Sequence, residues 1–165
     1  MAHAANISPN GGRASVITFS TDPNLDIKFS DHEKLVTFAS DVDRLEQFKG
    51  STQIINALKL GLDEMFQVKN GMRSGNDSIK VLVLVVDGLD QKPGSKYTEM
   101  GERFKQENIR VIVVGIGTTR FEAAGLKGKL GRLVQDDNDL FITSSFDDLA
   151  DVVLKDVGQS FCTDT

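Results

Sequence analysis

The sequence predicts an α/β domain built on a mostly parallel central sheet with helices on both faces. Residues 79–88 read IKVLVLVVDG, in which Val81 to Val86 are six consecutive apolar residues running into Asp87-Gly88. That is the pattern of a central parallel strand, buried on both faces, that ends in a polar loop. A second run of the same kind, IRVIVVGIG, occupies residues 109–117. From Ile79 onward such strands alternate with segments of helical period, as parallel sheets with helical crossovers require.

Taken in order, Ala2, Ala4, Ala5 and Ile7 resemble the tail of a helix, stopped by the turn signal Ser8-Pro9-Asn10-Gly11-Gly12. Residues 14–20, ASVITFS, predict a strand. The turn Thr21-Asp22-Pro23-Asn24 and a second strand with alternating Leu25, Ile27 and Phe29 complete a hairpin at a sheet edge. Asp31 is placed to cap a short helix over residues 33–44, with Leu35, Phe38 and Val42 on one face. In FKGSTQIINALKLGLDEMF, the residues Ile54, Ile55, Leu58, Leu62, Met65 and Phe66 recur at helical spacing, and Ser51 or Thr52 stands where an N-cap belongs.

The polar stretch 69–78 reads as a loop into the strand at 79–86, and LDQKPGS after Asp87 reads as another. An amphipathic helix is expected over residues 96–107. A weaker one is expected over Phe121 to Val134, where Gly125, Gly128 and Gly131 each cost about 1 kcal/mol relative to Ala. LFITS at 140–144 predicts a last strand. The closing SFDDLADVVLKDVGQSF predicts a last helix capped by Ser145, with Asp147 and Asp148 in its first turn.

The 165 residues suit a single domain, 1–165, large enough to bury a core without staples. Hydrophobic residues at 39% and charged residues at 26% are ordinary for a globular chain, and no apolar run approaches the roughly 20 residues that span a bilayer. With 19 Lys and Arg against 24 Asp and Glu the net charge is −5, which offers no basic field for nucleic acid. The single cysteine, Cys162, forbids an internal disulfide and, by itself, favours a reducing compartment. The opening MAHAANISPNGG lacks the charged and apolar regions of a secretory signal.

Ligands of open α/β sheets bind at the carboxyl ends of the strands, which makes Asp87 the first candidate; it is equally placed to serve as a turn or cap residue. Thr52, just before a helix, is the other polar residue placed to reach that edge. A carboxylate with a hydroxyl is hard-oxygen ligation, suited to Mg²⁺, Mn²⁺ or Ca²⁺ and not to zinc. Asp90 reads as a solvated neighbour in the same loop. Asp136-Asp137-Asn138-Asp139 reads as a solvated turn rather than a Ca²⁺ site. Gly115 and Gly117 open a nucleotide-like turn, but position 120 is Arg where a third glycine is needed, and no Walker lysine motif occurs. A receiver-type phosphoacceptor role for Asp87 lacks the acidic cluster expected near the first strand. His3 and His32 are the only histidines and read as surface residues, and no G-x-S-x-G elbow is present, so nucleophilic catalysis is disfavoured.

Together RASVITFS, FKGSTQIINALKLGLDEMF, VLVLVVDG, IRVIVVGIG and LFITSSFDDLADVVLKDVGQSFC resemble a von Willebrand factor type A domain, over nearly the whole chain and in the family's order of elements. The resemblance implies a Rossmann-like fold and a non-enzymatic, secreted adhesion or matrix-binding module. Its partners would be extracellular matrix or cell-surface proteins, collagens included. It also implies a metal-ion-dependent adhesion site in which Thr52 and Asp87 are metal ligands, with Ser51, Gly88 and Asp90 at the ligand-binding rim. Ile54 and Ile55 stand where many members have Thr-Gly.

The family's first strand, its Asp-x-Ser-x-Ser loop and most of the following helix have no counterpart here. On this reading the fold is N-terminally truncated, with residues 1–12 a remnant of the first helix, as in a fragment or an alternatively spliced product. Two consequences are expected. A metal held by Thr52 and Asp87 alone binds weakly or not at all unless a ligand or another chain supplies oxygens. The strands at 14–20 and 79–86, which would flank the missing one, must pair with each other or recruit a partner, since each buried unpaired backbone group costs about 1 to 3 kcal/mol. The second alternative makes the protein an assembly component that forms homo-oligomers. In many extracellular relatives a cysteine after the last helix pairs with one before the first strand, so Cys162 is a candidate for an intermolecular disulfide, or else a buried thiol.

Overall fold

The computed structural model describes residues 7–46, 50–75, 78–145 and 147–148. The expected helix tail before Ile7, the body of the closing helix, His3 and Cys162 lie outside the described residues. Two compact units, Met1–Ser78 and Ile79–Thr165, divide the chain.

In the first unit β1 (Val16–Phe19) and β2 (Pro23–Ile27) form the expected antiparallel hairpin, with Val16 opposite Ile27 and Phe19 opposite Pro23. The first strand is shorter than the expected 14–20, and the second is shifted toward the turn, from Pro23 to Ile27, with side chains taking over backbone partners. The Asp26 carboxylate accepts from the Thr18 N–H at 2.9 Å and from the Thr18 hydroxyl at 2.7 Å. Asp31 accepts from the Lys28 N–H at 2.8 Å, while its own N–H donates to the Lys28 carbonyl, and this turn ends β2. Phe29 is thereby released from the ladder and packs on Phe66 with ring centroids 5.7 Å apart.

Asp31 therefore closes a turn instead of capping the next helix, α1 (Leu35–Val42), whose N-cap position is Lys34. The cap of α2 (Ile54–Leu60) also differs from expectation: it falls on Gln53, one residue beyond Thr52. The Gln53 N–H donates to the Ser20 carbonyl at 3.0 Å, tying the start of this helix to the hairpin. Ile54, Ile55, Ala57 and Leu58 are buried, and α2 packs on both strands. It continues as a π-type turn, Gly61–Met65, which brings Leu62 and Met65 into the same core.

A 3-10 turn, Val68–Asn70, is then closed by Gly71 at φ 88°, where a Cβ would stand 2.3 Å from the Ser30 nitrogen. Left-handed backbone and backbone contact together exclude a side chain at this position. Gly71→Ala is expected to destabilise the protein by about 2 kcal/mol, read as a lowered midpoint in chemical denaturation.

The second unit is a parallel three-stranded sheet in the order β3 (Lys80–Val86), β4 (Ile109–Ile116), β5 (Leu140–Thr143). Lys80 is in register with Ile109, and Val113 with Leu140. The middle place in this ladder belongs to β4, buried at every position but Arg110, and not to β3 as the run at 81–86 suggests. In β3, Leu82, Leu84 and Val86 are buried, whereas Val85 on the alternate face is 39% exposed. An unbroken apolar run carries no alternation to reveal this asymmetry.

Helix α3 (Gly94–Gln106) buries Tyr97, Met100 and Phe104, one face at helical spacing, and packs on β4. Gly101 on that face lets the chain at Arg132 approach, since a Cβ there would meet the Arg132 carbonyl at 2.5 Å. Helix α4 (Arg120–Leu130) opens on a capping box, Thr119 with Glu122, that outweighs its interior glycines. The Thr118 hydroxyl, together with the Thr119 N–H, holds the Glu122 carboxyl below its ordinary pKa. After β5 the Ser145 hydroxyl accepts from the Asp148 N–H at 3.2 Å, the expected cap of the closing helix.

Candidate functional site

The two expected metal ligands belong to different units. Ser51 is exposed and Thr52 half-buried in the segment leading into α2. Asp87, Gly88 and Asp90 share the loop that leaves the carboxyl end of β3. Asp87 is exposed at the strand tip and Gly88 is half-buried beside it.

Asp90 is 5% exposed, so the expectation of a solvated residue is overturned. Its carboxylate accepts from the Tyr97 hydroxyl at 2.7 Å and from the Lys92 N–H at 3.0 Å. Lys129 of α4 donates to the Asp90 carbonyl at 3.0 Å, with its ammonium 5.9 Å from the centre of the Tyr97 ring. Burial, and then the Asp90 carboxylate, push the Tyr97 phenol well above its ordinary pKa, so it remains a hydrogen-bond donor. The Asp90 carboxylate pins the loop that carries Asp87 to α3, and the Asp90 carbonyl ties it to α4; buried in this way, Asp90 is a positioning group rather than part of the rim.

The acidic cluster before β5 is likewise structural. Asp139 is 2% exposed and takes a bidentate contact from the Arg110 guanidinium, with Nη2 at 2.8 Å and Nε at 3.0 Å. Asp136 caps its own 3-10 turn by accepting from the Asn138 N–H. A charge run shows no partner 29 residues away, so its solvated reading was the natural one from sequence. His32 also departs from the surface reading: its side chain is 11% exposed, 3.1 Å from the Asp41 carboxylate and edge-on to Phe38.

Among the described residues no group of three or more His, Cys, Asp or Glu side chains is arranged to hold a metal ion. Thr52 and Asp87 alone are two hard-oxygen donors where a divalent cation takes at least six ligands, so the residues present do not by themselves fit the ion. Gly115 and Gly117 are accounted for by packing. A Cβ on Gly115 would meet Ile142 Cδ1 at 2.8 Å, and one on Gly117 would meet the Ala123 nitrogen at 2.8 Å.

Two substitutions test these assignments. Tyr97→Phe removes a donor from a buried carboxylate and is expected to cost about 1 to 3 kcal/mol in denaturant titration. Arg110→Met leaves Asp139 as a buried, unpaired charge and is expected to cost about 3 kcal/mol in the same titration at neutral pH.

The model of the von Willebrand factor type A domain matches residues 1–155. Von Willebrand factor A domain-containing protein 1 of Danio rerio is 26% identical over 117 residues, which are 71% of this chain and 23% of that protein. The chain therefore spans about a quarter of that relative's length. Proximal thread matrix protein 1 from the mussel byssus superposes with a TM-score of 0.78 at 19% identity, over 90% of this chain and 36% of that one. The same mussel protein has been solved with zinc in its MIDAS motif, the metal-ion-dependent adhesion site. Manganese-loaded TRAP protein of Plasmodium vivax gives a TM-score of 0.64 at 14% identity, over 92% of this chain and 60% of that one. At these identities the solved structures speak to the fold alone. The match of 155 residues decides the family: this chain belongs to the von Willebrand factor type A domain family.

Proposed function

We propose that the protein is a non-enzymatic, extracellular adhesion or matrix-binding module that engages a protein ligand at the carboxyl end of its parallel sheet. The observation that carries this reading is Asp87, an exposed carboxylate at the tip of β3 on a loop anchored from beneath by Asp90. Family membership supports the same edge as the binding surface, and the zinc-occupied mussel and manganese-loaded Plasmodium structures support a metal within the fold. Thr52 and Asp87 are assigned as the metal-facing residues of a degenerate site, with Ser51 and Gly88 at its rim.

If a divalent cation, Mg²⁺ or in its place Mn²⁺ or Ca²⁺, is held here, Asp87 and, from the other unit, Thr52 are the residues of this chain that would face it, and it would supply positive charge for a ligand carboxylate. With so few protein oxygens it would be held weakly until that ligand arrives. The ligand class is an acidic segment of a matrix or cell-surface protein, collagens among the candidates. Asp87 supplies charge to the cation, and the Asp90–Tyr97–Lys129 contacts keep it at the strand tip.

Titration of Mg²⁺, Mn²⁺ or Ca²⁺ alone in a calorimeter is expected to give little heat. Binding to immobilised collagen is expected to be lost on adding EDTA and to fall at least tenfold in Asp87→Ala. Binding that neither chelation nor Asp87→Ala alters would remove the metal from the proposal.

A further inference from the structure

We propose that Arg120 and Phe121, at the start of α4, extend the binding edge beside Asp87, so that the segment recognised carries a bulky apolar residue close to its acidic one. The inference rests on the adhesion reading above and names a second part of the ligand's footprint, within the second unit alone.

Phe121 is 89% exposed, and among the described residues every other phenylalanine is buried or half-buried. The ring adds little to the fold. Helix α4 is held by Leu126 and Leu130, buried on the far side of the helix, and is opened by the Thr119–Glu122 capping box. Arg120, the first residue of α4, also stands against local preference, since a cation at a helix N-terminus opposes the macrodipole. The nearby Glu122 carboxylate does not neutralise it, because it accepts from the Thr118 hydroxyl at 2.8 Å and from the Thr119 N–H at 3.0 Å. Arg120 is exposed and has no ion pair among the described residues. Two adjacent residues that the fold does not call for point to binding.

Their place in the second unit points to the same edge. Val86 is in register with Gly115 in the parallel ladder, so Asp87 and the turn that leads into α4 leave the sheet side by side. The far end of α4 reaches the start of β5, where a Cβ on Gly131 would stand 3.4 Å from Leu140 Cδ2. Midway, a Cβ on Gly125 would stand 3.8 Å from Leu89 Cδ1, in the loop that carries Asp87. Phe121 precedes Gly125 by one turn on the same face, about 6 Å nearer the edge. A ligand in extended conformation covers about 10 Å with three residues, so one short segment reaches both Asp87 and Phe121.

The chemistry of the edge sets the ligand. An uncovered aromatic ring takes a bulky apolar side chain, and a free guanidinium beside it takes a carboxylate in bidentate geometry. Lys92, exposed in the Asp87 loop and also without an ion pair among the described residues, adds a second cation. Although the chain as a whole carries a net charge of −5, this edge therefore complements an acidic segment.

Selection of a phage-displayed random peptide library on the immobilised full chain in Mg²⁺ tests the inference. The expected binders carry Asp or Glu with a bulky apolar residue within about three positions. A synthetic peptide of the enriched sequence is expected to bind Phe121→Ser about tenfold more weakly and Phe121→Tyr as well as the unaltered chain. In Arg120→Gln its affinity is expected to fall less steeply with salt. Unchanged denaturation midpoints in all three variants distinguish a binding role from a structural one. Acidic binders with no apolar preference, or a peptide indifferent to Phe121→Ser, overturn this inference and leave the adhesion reading standing. Absence of binders, or binders without acidic residues that Asp87→Ala does not weaken, overturns both.

Discussion

The second unit depends on one constraint: β4 is buried along almost its whole length, and a buried strand must have hydrogen-bond partners on both edges. On one side β3 pairs with it from Lys80 to Val86. On the other, β5 reaches only Val113 to Ile116, and nearer the start of the strand the Gln135 side chain accepts from the Val111 N–H at 3.1 Å in place of a strand. The Gly117 N–H donates to the Thr143 carbonyl at 2.9 Å, carrying the ladder to the point where the loops begin. Helices α3 and α4 follow from the same constraint, because a face made of Val, Ile and Gly side chains must be covered.

Two buried carboxylates then fix what the apolar core leaves undetermined. Asp139 receives the Arg110 guanidinium and so registers the turn before β5 against the start of β4. Asp90 receives the Tyr97 hydroxyl and the Lys92 N–H at the opposite end of the strands. In a low-dielectric setting such groups are costly unless satisfied, and once satisfied they tolerate few alternative arrangements. Asp87, three residues from Asp90, makes no such bond among the described residues and stands in solvent. A pinned carboxylate beside an exposed one is the arrangement a binding loop needs, with its base rigid and its tip available.

The kinds and order of elements were legible in the sequence. Ile109 to Ile116 could only be a buried strand, Tyr97, Met100 and Phe104 repeat at helical spacing, and Ser145 is followed by the acidic first turn that it caps. Family membership was legible from the same stretches, because strand ends and helix starts are written in short-range chemistry. Local signals misled where a side chain had a competing partner nearby, as at Asp31, which closes a turn on Lys28 instead of capping α1. The sequence alone determined what each segment is and that Asp87 ends a strand. Only the tertiary structure decided that β4 and not β3 occupies the middle of the ladder, and that Asp90 and Asp139 are buried while Asp87 is exposed. Burial and pairing are set by what lies across the fold, Arg110 for Asp139 and the helices α3 and α4 for Asp90, and no local pattern of residues records those neighbours.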